Sequence, residues 1–336
     1  MNIPLTETEY SIPGAFPTLA LLSDLHGRDY QPVIASLKKY RPAIICITGD
    51  FIYGSNPVDD TSPLVSQQNV LPFLTACSSI APTFVSLGNH ERVLDDADLH
   101  AIGSTGVTVL DNRYITTTVN GFYLVIGGLT SPYCLEYRKF REEFYREAVD
   151  TASHIVDTTS LPRYPKRVVA DKDNQHDPKR RPLPDTSWLT EFASTPGYHI
   201  LLSHHPEFVE MISAGVVNCS SSVEMLIDLI LSGHAHGGQW RVYHPIKKKW
   251  IGVFAPGQGF WPKLTEGVHE ISYGAPGSHT SLVISRGLAN TANIPRFFNR
   301  LNIPPQNERR NRASCAPPPR CLSGLTAGLV HRLQMR

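Results

Sequence analysis

Five short apolar runs in this 336-residue chain each stop at residues that can hold a metal ion. Residues 18–23 (TLALLS) run into Asp24-Leu25-His26-Gly27, residues 43–48 (AIICIT) into Gly49-Asp50, and residues 83–87 (TFVSL) into Gly88-Asn89-His90-Glu91. Residues 199–203 (HILLS) run into His204-His205, and residues 227–232 (IDLILS) into Gly233-His234-Ala235-His236. Carboxylates, imidazoles and one neutral amide, with no thiolate among them, suit hard or borderline divalent cations. On an extended strand end, Asp24-x-His26 and His234-x-His236 would each set both side chains on one face, because the pleat has period two. The flanking glycines 27, 49, 88, 233, 237 and 238 let the chain turn sharply and approach an ion closely. One such histidine alone would read as a satisfied core or surface residue. Five strands delivering such groups together point to a metal centre.

The positioning elements follow from periodicity. Short apolar runs alternating with helix-period segments, such as residues 31–40 (QPVIASLKKY) and 64–79, predict a mostly parallel sheet in the first half. From Val107 the pattern changes to hairpins: VTVL, YITTTVN, the turn Asn120-Gly121, then FYLVIGGL. Residues 136–186 break the rhythm with a charged amphipathic stretch and a segment rich in Pro and charge, read as an excursion from the core. Strands resume at 199–203, 227–232, 250–254 and 281–285. The expected class is α/β with αββα layering: two stacked mixed sheets flanked by helices, with polar groups at the carboxyl ends of the strands.

The blocks SDLHG, GDF, GNHE, SHHPE and SGHAHGGQ resemble the calcineurin-like metallophosphoesterase superfamily in order and spacing. APGQGFWPK, ISRGL and PRFFNR resemble its YkuE/YaeI-type phosphodiesterase branch, so the likeness covers roughly residues 18–300. It implies that Asp24, His26 and His236 hold one divalent metal, that Asn89, His204 and His234 hold a second, and that Asp50 bridges them. His90 would donate to the substrate, with Glu91 as the acidic partner that follows it. Mn, Fe and Zn all suit these ligands. The implied reaction is hydrolysis of a phosphodiester or pyrophosphate bond through a metal-bridging hydroxide. Two divalent ions, two carboxylates and that hydroxide leave about one positive charge, enough to attract a small phosphate ester. A phosphomonoesterase, including a protein phosphatase, is the alternative enzyme. A non-catalytic scaffold of the same fold is a further alternative, against which the presence of both His26 and His90 argues.

Several neighbouring residues take plainer readings. His205 should point away from His204 and serve as a neighbour. Phe260 and Trp261 would stack a base or a lipid tail, or pack in the core, and core packing is preferred. Arg286 would either reach a phosphate or bond local carbonyls, and both stay open.

Composition narrows the class further. Hydrophobic residues make up 41% and charged residues 18%, ordinary for a folded domain. Residues 306–336 carry six arginines against Glu308; of 31 basic and 30 acidic residues, 25 and 29 remain elsewhere, a net of −4. That acidic body argues against a stable nucleic-acid complex. Six cysteines without CxxC pairs fit a reducing compartment, and no signal or transmembrane run is visible, so the expected location is cytoplasmic. The expected division is a domain over 1–305 and an Arg/Pro-rich tail over 306–336. Pro304-Pro305 and the prolines at 317–319 argue against a strand there.

Overall fold

Alternation within the short apolar strands decides the layering. In β2 (Leu19–Leu22) and β3 (Ile44–Thr48), Leu19, Leu21, Ile44 and Cys46 face a core shared with Leu124, Ile126, Ile200, Leu202, Leu229 and Val283. The intervening Ala20, Leu22, Ile45 and Ile47 face helices on the other side. Burial on both faces is why these runs read as continuous apolar stretches rather than as alternating ones. The protein is described from a computed structural model, over residues 6–12, 18–54, 63–134, 184–209, 227–246, 248–272, 279–289 and 329–335.

The first sheet has the order β1 (Thr6–Ile12), β15 (Leu329–Met335), β2, β3, β4 (Thr83–Ser86), β5 (Thr108–Leu110), with β2 to β5 all parallel. The second has the order β13 (Gly267–Ser272), β14 (His279–Ile284), β9 (Leu229–Ser232), β8 (Tyr198–Ser203), β7 (Phe122–Leu129), β6 (Arg113–Val119). Its four central strands, β14, β9, β8 and β7, are parallel. A small antiparallel sheet of β10 (Trp240–His244), β11 (Lys249–Ala255) and β12 (Gly259–Phe260) stands apart from both.

Helices cover both outer faces, which is the expected αββα layering. On the first sheet lie α1 (Gln31–Tyr40), α2 (Pro63–Ser66), α3 (Val70–Ser78) and α4 (Asp96–Gly103), burying Val33, Ile34, Leu37, Phe73, Leu74 and Ile102. On the second, α5 (Leu189–Ser194) buries Leu189 and Phe192 against Val125, Leu201 and Ile230. Pro32 in the first turn of α1 gives up no hydrogen bond, and Arg41 closes that helix in a left-handed conformation with φ 48°. A capping box of Asp95 and Asp98 starts α4. No helix among the described residues is long and apolar enough to cross a membrane.

Four expectations are corrected. The helix expected over 64–79 is broken at residues 67–69. VTVL does not pair as a hairpin with the next run; β5 lies parallel to β4 in the first sheet, while β6 and β7 form the hairpin through Asn120 and Gly121 at φ 52° and 84°. Residues 250–254 belong to the small sheet rather than to a core strand. Most consequentially, the tail does contribute a strand: β15 runs parallel to β1 and antiparallel to β2, with Leu333 opposite Leu19. The prolines that argued against it end at Pro319, and in LVHRLQM the positions of Leu329, Leu333 and Met335 share a period of two. The edge of β2 has backbone donors and acceptors that require a partner. The excursion at 136–186 lies, up to residue 183, outside the described residues, as do PRFFNR and 306–328.

Candidate metal centre

Parallel strands of both sheets end at one rim, β2, β3 and β4 from one side and β8, β9 and β14 from the other. The backbone there does not stay extended. Asp24, His26, Asp50, His234 and His236 have φ of 56°, 51°, 52°, 64° and 48°, all in the left-handed region that non-glycine residues avoid. Tight turns after the strands, rather than the pleat, therefore bring Asp24 near His26 and send His234 and His236 into different groups. Such conformations cost about 1–3 kcal/mol each and persist only where neighbours over-determine them. Here Asp24 N–H donates to Gly49 O at 3.1 Å, His26 N–H to Asp50 O at 3.0 Å, and Ala289 N–H to Asp24 O at 2.9 Å, lacing three loops together.

The side chains gather in overlapping groups. Asp24, His26 and His236 form one, with Asp24 Oδ1 at 3.8 Å from His26 Nε2 and 3.5 Å from His236 Nε2. Asp50, His204 and His234 form another, with Asp50 Oδ2 at 3.1 Å from His204 Nε2, and His204 Nε2 at 3.2 Å from His234 Nδ1. Asp50 also groups with His26 and His90, and so stands between the two sets. Asn89 sits at the start of the 3-10 turn His90–Val93, whose first N–H donates to Asp50 Oδ1 at 2.9 Å.

These residues fit divalent cations on the structure's own terms. Asp24 Oδ1, His26 Nε2 and Asn89 Oδ1 are buried and have no hydrogen-bond partner among the described residues. A buried polar atom left unmet costs about 1–3 kcal/mol, which coordination would remove. Two histidines are already aimed: His204 Nδ1 donates to Thr48 O at 2.7 Å and His26 Nδ1 faces Ile52 O at 3.3 Å, leaving each Nε2 for a metal. Ser23 Oγ donates to Asp24 Oδ2 at 2.6 Å and leaves Oδ1 free for an ion.

Glu91 organises the loops without joining the ligands. Fully buried, its carboxylate accepts from Gly88 N–H at 2.7 Å, Asp50 N–H at 2.8 Å and Ile52 N–H at 3.2 Å. Burial and the nearby Asp50 push its carboxyl up to about 8, against the pull of those donors. Gly88 must lack a side chain, because a Cβ there would lie 2.3 Å from Asp50 Oδ1. Burial also pushes Asp24 up to about 6, and it drives His26 and His234 well below the usual imidazole range. Burial opposes charge on Asp50 and His204 too, yet each holds the other ionised: Asp50 stays well below the carboxylate range and His204 rises to about 10.

Three neighbours depart from their sequence readings. His205 does not turn away; its ring lies 4.2 Å from that of His234, and it groups with Glu207 and His234 within ligand distance. Phe260 and Trp261 are not core residues, being 67% and 65% exposed. Arg286 is buried and pairs with Glu266 at 3.1 Å, beside Arg241 on the same carboxylate. A cleft of about 1270 Å³ lined by Tyr243, Trp250 and Trp261 contains none of the candidate ligands. Sequence reasoning also missed Ser23, Tyr53 and Gln67. Only Ser23, adjacent to the candidate ligand Asp24, carried a local signal.

Several solved structures resemble this chain. A 5'-nucleotidase precursor from Thermus thermophilus shares 13% identity, over 81% of this chain and 49% of that one, with a TM-score of 0.41. A sulfate thiohydrolase from the same species shares 13%, over 83% and 53%, at 0.40. A dimetal phosphatase from Danio rerio shares 12%, over 80% and 87%, at 0.37. The chain spans about half the length of the first two. No curated protein sequence matches it. The sequence profile of the calcineurin-like phosphoesterases matches residues 17–238, the span that carries all seven candidate ligands and His90, and the chain belongs to that family.

Proposed function

We propose that the protein hydrolyses a phosphodiester or pyrophosphate bond in a small phosphate ester at this rim. The observation that carries the reading is the placement of Asp50 between two ligand groups with His90 beside it. In this reading Asp24, His26 and His236 hold one divalent cation, Asn89, His204 and His234 hold a second, and Asp50 serves both. When bound, such a pair supplies Lewis-acid charge and activates water at neutral pH. The protein's own groups then orient and protonate. His90 Nδ1 accepts from Gly54 N–H at 2.9 Å, so the proton of the neutral ring is on Nε2, at the partly open face of the centre. That N–H is placed to donate to the leaving oxygen. Glu91 holds the Gly88 and Asp50 backbones, and Arg241 and Arg286 remain committed to Glu266 rather than to substrate. The extent of the functional domain over 1–305 is part of the same proposal, amended by β15.

The test is turnover of apoprotein reloaded separately with Mn, Fe or Zn, on bis-p-nitrophenyl phosphate and on p-nitrophenyl phosphate at equal concentration. A higher kcat/KM for the diester is expected, since a site with about one positive charge does not require a dianion. A clearly higher value for the monoester would make the protein a phosphomonoesterase. Absence of turnover with every metal would leave the scaffold reading.

A further inference from the structure

Tyr53 is a large aromatic with 39% of its surface exposed, yet it is held firmly at the mouth of the metal centre. Its ring centroid lies 5.7 Å from that of His90 and 6.4 Å from that of His26. The side-chain amide of Gln67 grips its backbone from both ends: Tyr53 N–H donates to Gln67 Oε1 at 2.6 Å, and Gln67 Nε2 donates to Tyr53 O at 2.7 Å. Gln67 occupies the break between α2 and α3, which gives that interruption a purpose. It reaches Tyr53 only because residue 27 is glycine; a Cβ on Gly27 would lie 2.6 Å from Gln67 Oε1. The neighbouring Asn69 Nδ2 donates to Gly27 O at 3.2 Å and secures the same loop. The next residue, Gly54, is the one whose N–H fixes His90.

An exposed ring with a pinned backbone adds little to the core, and it is pre-organised for contact with something outside the chain. Resting on the phosphoesterase reading above, we propose that Tyr53 is a substrate-contacting residue. Its ring packs against a flat, unsaturated organic group of the ester, of the aryl or nucleobase kind, beside the oxygen that His90 serves. Gln67 is then a positioning residue, acting on substrate only through Tyr53.

The experiment is calorimetric binding of two inert phosphonates, phenylphosphonate and methylphosphonate, to the Mn-loaded protein. Both present the same charged head to the centre and differ only in the organic group. The wild type should prefer the phenyl compound. Tyr53→Ala and Tyr53→Leu should each lower that preference by about 3- to 10-fold, the range expected for loss of one ring contact. Tyr53→Phe should retain it, and Gln67→Ala should lower it in the same direction as Tyr53→Ala. Retention of the preference to within threefold in Tyr53→Ala overturns the contact while leaving the metal reading intact. A loss in Tyr53→Phe as large as in Tyr53→Ala assigns the effect to the hydroxyl and overturns the ring contact. If neither phosphonate binds the wild type while the Mn-loaded protein turns over bis-p-nitrophenyl phosphate, the ring contact is overturned and the phosphoesterase reading stands; absence of both binding and turnover overturns both.

Discussion

The backbone N–H of Gly54 points at Nδ1 of His90 from 2.9 Å, and this one bond chooses the tautomer of the residue. Because Nδ1 is an acceptor, Nε2 must carry the hydrogen when the ring is neutral, and Nε2 lies 3.8 Å from Asp50 Oδ2. His90→Ala should therefore lower turnover by about 10²- to 10⁴-fold. Metal content, measured by elemental analysis, should stay near that of the wild type. The loss should be smaller for a p-nitrophenolate leaving group, which needs little protonation, than for an alkoxide. An emptied metal site with no separate rate effect would instead make His90 a ligand.

Chelation should abolish activity, and Mn²⁺ should restore it. Asp50→Asn should lower both metal stoichiometry and turnover, because the change removes the charge that stands between the two ligand groups. Full turnover by stripped protein in excess chelator would rule out the metal centre as the seat of the reaction.

Metal loading should be linked to pH through His204. Against the opposing effect of burial, Asp50 raises its folded-state value from 6.5 to about 10, so the metal-free protein carries it as an imidazolium at pH 7. That ion pair stabilises the metal-free fold fully below about 6.5, and the contribution is lost as pH rises through about 10. A metal takes only the neutral ring, so binding must displace the proton and should strengthen as pH rises. Calorimetry at pH 7 in two buffers of different ionisation enthalpy should register release of about one proton on His204's account. No release would mean that His204 is already neutral.

Deleting residues 329–336 should destabilise the protein, since among the described strands β15 is the only link between β1 and β2 in the first sheet. Its removal would take away the strand that β1 pairs with and uncover the edge of β2. A fall in Tm of more than about 5 °C is expected, equivalent to a few kcal/mol in a chain of this size. An unchanged Tm would show that the strand is dispensable to the sheet.

What the sequence determined by itself lies within single elements. An apolar run of five or six residues that stops at or next to a metal-capable side chain is a local pattern, and so Asp24, Asp50, Asn89, His204 and His234 could be read directly at their strand ends. Asn120-Gly121 likewise announced its hairpin, and Pro32 its helix start. Pairings between distant segments could not be read in that way. Nothing near Leu333 says that it will lie opposite Leu19, and nothing near His204 says that Thr48 O will accept a hydrogen bond from its Nδ1. The left-handed turns at the candidate ligands, the inward His205, the exposed Trp261 and the grip of Gln67 on Tyr53 were all decided by such long-range contacts. Local periodicity records how a segment is buried along its own length. Which atom meets which is selected when segments far apart in the chain close on one another, and each such contact constrains neighbours that no window of sequence contains.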